Sequence, residues 1–212
     1  MPRPRLVAAA AALSCALAAA APCAPAAAQD RLPTIPPAQY SPAQQQAAAD
    51  FLAARKTPVF GPFEPLMHSP EVMSLARAMG DYLRYKPGIG TTLSEFVILI
   101  TAREWSQDYE WSVHAPIAEK AGIAPAKIAA IRDGRRPDGM TDDEAIAYDF
   151  TSELLHTRRV SDATWSRAEA RFGKPALVDL TGIVGYYTFL AMQLNVARYP
   201  VRTGPTLGRF PD

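Results

Sequence analysis

Thiols are almost missing from this chain. Of its 212 residues only Cys15 and Cys23 carry one, and both sit in a leader-like start. Arg3 and Arg5 precede an apolar run from Leu6 to Ala21, and the small residues Ala26, Ala27 and Ala28 stand just before Gln29. This pattern predicts a signal peptide at residues 1–28, cut after Ala28. The competing reading is an uncleaved anchor, but the run is 16 residues long, short of the roughly 20 that a spanning helix needs, and Pro22 and Pro25 follow it. The residues before each cysteine are mostly Ala and Pro where lipid attachment wants a larger aliphatic, which leaves lipidation a minor alternative. The expected mature chain, periplasmic or secreted, thus has no thiol, which excludes disulfides, thiolate metal sites and cysteine nucleophiles.

Net charge is the second absence. The formal charge of +1 becomes −1 once Arg3 and Arg5 leave with the signal. Nothing then argues for nucleic acid as a partner, or for a membrane surface after cleavage. Strand-like alternation is hard to find, and there is no Gly-rich phosphate loop, serine elbow or HExxH pair.

What is present is helical. With 49% hydrophobic residues the chain can bury one sizeable core. Residues 29–41 are Pro-rich and aperiodic, an extended arm. Ser41-Pro42 and Ser69-Pro70-Glu71 are cap-plus-proline starts, and the segment between their helices, 57–68, reads as a proline-broken loop. After the second start, Val72, Leu75, Ala76, Met79, Tyr82 and Leu83 give the spacing of a buried stripe. Further helices are expected from Thr92 to Trp105, Asp108 to Lys120, Pro125 to Arg132, Thr141 to His156 and Ser161 to Phe172. A last one runs from Pro175 to Arg198 with Leu177, Leu180, Ile183, Val184, Tyr187, Leu190 and Leu194 inward. The expectation is an all-α, single-domain bundle, divided as signal 1–28, arm and linker helix 29–54, helical domain 55–198 and tail 199–212.

Three residues in LSEFVILITAREW and YEWSVHAPIAEKAG stand out as proton-handling groups: Glu95, Glu110 and His114. Glu110 and His114 are four apart and share a helix face, and a helical hairpin brings Glu95 back against it. Two carboxyls beside an imidazole can move protons near neutral pH. For Glu95 the competing role is a helix cap, since Thr92-x-x-Glu95 matches a capping box. For His114 it is a satisfied core histidine. Glu and His at this spacing also suit zinc or iron, with Glu95 as third ligand, but no second histidine is near. Arg103 is a candidate clamp for an anionic substrate, or else a solvated helix end. Tyr109, Trp111 and Tyr187 are candidate pocket walls for which core packing competes. His68 and His156 are assigned to structure.

Together with GPFEPLMHSPEVMSLARAMGDYLRY before them and RFGKPALVDLTGIVGYYTFLAMQLN after them, these segments resemble the carboxymuconolactone decarboxylase family of the alkylhydroperoxidase D-like superfamily, over about residues 55 to 197. In the peroxidase branch a helix carries Cys-x-x-Cys-x-x-x-His with a glutamate upstream. The corresponding positions here are Gln107, Glu110, His114 and Glu95, so the thiols are gone and thiol peroxidase chemistry is excluded. The resemblance implies a cofactor-free helical lyase, without metal, that assembles as a trimer or hexamer and removes CO2 from a carboxylated unsaturated lactone. It implies that His114 donates a hydrogen bond or proton, Glu110 orients it and Glu95 returns the proton. Export argues for a lactone or oxo acid other than the cytoplasmic one. The alternatives are a non-catalytic binding or oligomerisation module of the cell envelope and a metal-dependent variant of the Glu/His set.

Overall fold

From Leu93 to Arg103 every residue of one helix is buried, and the other helices are laid around it. The computed structural model describes residues 30–200 and Leu207. The expected signal at 1–28, with both cysteines, and nearly all of the expected tail lie outside the described residues. In chain order come α1 (Pro42–Arg55), α2 (Phe63–Leu66), α3 (Pro70–Tyr85), α4 (Thr91–Glu104), α5 (Asp108–Lys120), α6 (Pro125–Arg132), α7 (Asp142–Thr157) and α8 (Asp162–Ala197). Among the described residues there is no strand, and the chain is an all-α, single-domain bundle.

The helix boundaries follow from local chemistry. Ser41 with Gln44 and Thr141 with Glu144 form reciprocal capping boxes, each satisfying two otherwise unpaired donors. Gly173, at φ 77°, interrupts α8, a backbone angle that a residue with a Cβ rarely adopts, and Pro175 resumes the helix. Ser69 opens α3 without a side-chain hydrogen bond. The expected loop at 57–68 contains the short α2.

A helix that is apolar all round belongs in the centre. Around α4 pack α3, α5, α6, α7 and α8. The core is continuous from Ala47 and Phe51 of α1 to Leu190 of α8, so α1 is part of the bundle rather than a linker. All seven α8 residues expected inward are buried. By length and composition α8 is apolar enough to cross a bilayer, but 56% of its most apolar window is buried inside the bundle, which is how a core helix behaves.

On α3 only Ala76 and Leu83 of the expected stripe face inward. Val72, Leu75, Met79 and Tyr82 are exposed, Leu75 by 73%. The buried side is Met73, Ala76, Gly80 and Leu83. Small side chains win there because α8 comes close: a Cβ on Gly80 would lie 2.2 Å from the Tyr186 hydroxyl.

Candidate functional site

The α4–α5 connection is three residues, tightened by Ser106 in the left-handed region (φ 44°) and by Gln107, whose side chain caps α5 at Tyr109 N and also donates to Asn195 Oδ1 at 2.8 Å. Such short connections fold neighbouring helices antiparallel. The hairpin brings Glu95 of α4 against His114 of α5, and His114 Nδ1 lies 2.6 Å from Glu95 Oε2. With Nδ1–H donating to the carboxylate, Nε2 is turned towards Glu110 Oε2, 3.5 Å away. All three side chains are buried.

Glu95 is therefore no helix cap. The cap is Gly90 (φ 79°) rather than Thr92, two residues earlier than the motif requires, which puts Glu95 at the fifth helical position instead of the third, past the reach of a capping box. Thr92 Oγ1 instead donates to Ala121 O at 3.2 Å. A carboxylate on the most deeply buried helix is costly unless paired, and His114 supplies the pair.

Glu110 and His114 line a partly open cavity of about 30 Å³ together with Arg84, Tyr109, Tyr186 and Tyr187. Phe60, Pro62 and Phe63 wall its other side. Glu95 stands behind His114 and does not reach the cavity. Tyr187 packs edge-on against the imidazole, with ring centres 5.1 Å apart. Burial raises the Glu110 carboxyl above its ordinary value, and the positive charges of His114 and Arg84 oppose that only in part. Its Oε1 is buried without a hydrogen-bond partner. Burial first, and the negative charge of Glu110 second, hold the Tyr187 phenol well above its ordinary value, and burial does the same to Tyr186. Both phenols thus keep their protons as donors.

Of the candidate substrate residues, Tyr109 and Tyr187 are at this cavity. Trp111 is not: it is 2% exposed and belongs to the packed core. Arg103 is not either. It is buried rather than solvated, donates to Ser106 Oγ at 3.3 Å, and lines a separate small cavity with Ile131, Tyr148 and His156. Two cavity residues that the sequence reading passed over are Arg84 and Arg55. Among the described residues no three His, Cys, Asp or Glu side chains are grouped to hold a metal ion. Glu95 and Glu110 approach opposite nitrogens of one ring, so they cannot join His114 around a single ion.

Compared with protein-family models the chain matches none, and it matches no curated protein.

Proposed function

We propose that the chain is an exported, cofactor-free acid–base enzyme of carboxymuconolactone decarboxylase type, acting on a small lactone-like or oxo acid. The observation that carries this reading is the buried Glu110 carboxyl at the cavity, beside an imidazole whose other nitrogen is fixed by Glu95. Burial keeps Glu110 a stronger holder of its proton than an ordinary carboxyl, which suits a general acid near neutral pH. In decarboxylation the C–CO2 bond breaks and its electron pair passes into the lactone carbonyl as an enolate. A donor must meet the oxyanion, and a proton must return to carbon. Among the groups lining the cavity His114 and Glu110 are the imidazole and the carboxyl, so they take these tasks. Glu95 is the positioning residue for His114, the reverse of the roles the family resemblance implies for the two glutamates. Isomerisation of a similar lactone needs the same proton movements without the loss of CO2.

The substrate must widen the site. About 30 Å³ holds two or three waters, whereas established ligand pockets measure roughly 300 Å³ or more. Entry therefore displaces the Phe60–Phe63 wall. The small volume is also the observation that favours a second reading, a non-catalytic envelope module in which the buried pair serves only the fold.

The test is a screen of carboxylated unsaturated lactones for CO2 release and double-bond migration. His114→Ala is expected to abolish turnover with an unchanged helical circular dichroism spectrum. Turnover surviving in that variant, or a screen in which no lactone reacts, removes the enzymatic reading. The same proposal includes self-association through the exposed Leu75 and Met79 side of α3, checked by mass in solution. The basic, apolar start supports export.

A further inference from the structure

Two guanidinium groups reach the cavity, and they differ in what they already hold. Arg55 Nε is 2.8 Å from Asp81 Oδ1, and its guanidinium stacks on Phe63 at 4.6 Å and on Phe51 at 5.4 Å. Its charge is neutralised and its face is covered. Arg84 is otherwise placed. Its nearest carboxylate oxygen, Glu95 Oε1, is 3.9 Å from Nε, too long for a hydrogen bond, and that carboxylate already accepts from His114. Arg84 also lies over the ring of its own neighbour, Tyr85, at 5.4 Å, and is within electrostatic reach of Tyr187 and Glu110. Among the described residues no acceptor lies within hydrogen-bonding distance of its donors. Its side chain is 20% exposed, so the fork lies at the cavity wall rather than in bulk water.

At the same cavity Glu110 Oε1 is the complementary orphan, a buried oxygen without a partner. A planar fork of unused donors and a carboxyl with an unused oxygen thus share one small space. Guanidinium forks match carboxylates two bonds at a time, and a neutral carboxyl can donate to the same guest. We infer that Arg84 is the anion-recognition residue of this cavity, and that the ligand it takes is the carboxylate of a small organic acid, held by the Arg84 fork with Glu110 and His114 beside it. This deepens the acid–base reading and rests on it for the identity of the site, but not for its chemistry. Electrically the guest replaces a loose partner with a close one. Arg84 is 3.9 Å from a carboxylate shared with His114, and an entering anion gives it one of its own.

Formate and acetate are the probes, because a guest of three or four heavy atoms needs the least movement of the Phe60–Phe63 wall, and formamide and acetamide are their uncharged counterparts. The readout is the ring signals of His114 in nitrogen–proton correlation spectra of the full-length protein at constant ionic strength. His68 and His156 serve as internal references. Formate is expected to shift the His114 signals in a saturable way, and formamide is not. Arg84→Gln is expected to weaken binding roughly tenfold or more, as the loss of a charge-assisted hydrogen-bonded pair does. Arg84→Lys, which keeps the charge and loses the fork, should fall between and covers the case in which Arg84→Gln does not fold. Equal binding of formate by wild type and either variant overturns the assignment. So does equal binding of formamide, an equal response to chloride, or no response to formate at all. The two proposals fail separately. Formate binding through Arg84 with no lactone turned over sinks the enzyme and leaves the anion site. Turnover with an unchanged KM in Arg84→Gln sinks the anion site and leaves the enzyme.

Discussion

Replacing Glu110 by Gln removes one titration from the protein interior at nearly constant shape. The side chain is 2% exposed, and burial lifts its carboxyl above the ordinary value of 4.5. A carboxyl raised in this way holds its proton more tightly in the folded state than in the unfolded one. Between 4.5 and the folded value, folding takes up a proton, so stability falls as pH rises through that window, by up to about 1.4 kcal/mol per pH unit. Below the window both states are protonated and the slope vanishes. Above it neither is, and the whole cost of burying the charge remains. An amide has no such proton. Urea unfolding followed by circular dichroism, from about pH 4.5 to about pH 8 at fixed ionic strength, measures the difference between the two proteins. The stability of wild type minus that of Glu110→Gln should decline with pH at up to about 1.4 kcal/mol per unit. At the alkaline end the variant should be at least as stable as wild type, because a buried amide costs less than a buried charge with one oxygen unpaired. Activity should move the opposite way and be lost. Parallel stability curves would refute the reasoning, for they would mean that the carboxyl titrates alike folded and unfolded and is not an acid maintained by burial.

Glu95→Gln should lower turnover on a responsive lactone while keeping the fold, since Nδ1 of His114 loses its charged acceptor, and ring-nitrogen shifts of His114 read the change of tautomer directly. Gly80→Ala should destabilise the bundle by about 1–3 kcal/mol despite the better helix propensity of alanine, because its methyl would meet the Tyr186 hydroxyl, and a melting temperature equal to or above that of wild type would show that the ring has somewhere else to go. Thr141→Ala should cost about 1 kcal/mol through loss of its capping box, measured by denaturation, with turnover unchanged.

The helices were legible wherever the chain writes its own punctuation. Thr141 with Glu144, Ser41 with Gln44, the prolines at 42, 70 and 125 and the glycine at 173 all mark boundaries through backbone chemistry that needs no tertiary partner. The inward face of α8 was equally plain, since a long helix with one apolar side has only one way to lie. The α3 face was not. Leu75 and Met79 point out while Met73, Ala76, Gly80 and Leu83 point in, and where the helix comes nearest α8 the small Gly80 is set by the tyrosine on the partner helix rather than by hydrophobicity. The error hid Arg84, which is one helical repeat beyond Gly80 on that inner side. Glu95 could not be separated from a cap because Thr92-x-x-Glu95 satisfies the motif in sequence, and only the register of the helix start decides against it. His114 and Glu110 were visible from their spacing. That Glu110 meets the cavity while Glu95 stands behind His114 depends on how α4 and α5 are rotated about their axes, which the sequence pattern leaves open.

Phe51 of α1 meets Phe63 at 5.0 Å and Phe60 at 5.7 Å, edge to face, and Arg55 of the same helix covers Phe63. The aromatic lining of the cavity therefore rests on α1, a segment distant in sequence from Glu110 and His114. A chain trimmed to begin after residue 56 would keep its imidazole and both acids yet lose the packing that holds Phe60 and Phe63 at the cavity. Swapping Phe51 for a smaller side chain should loosen Phe60 and Phe63 and so enlarge the cavity from a helix that does not itself line it except through Arg55.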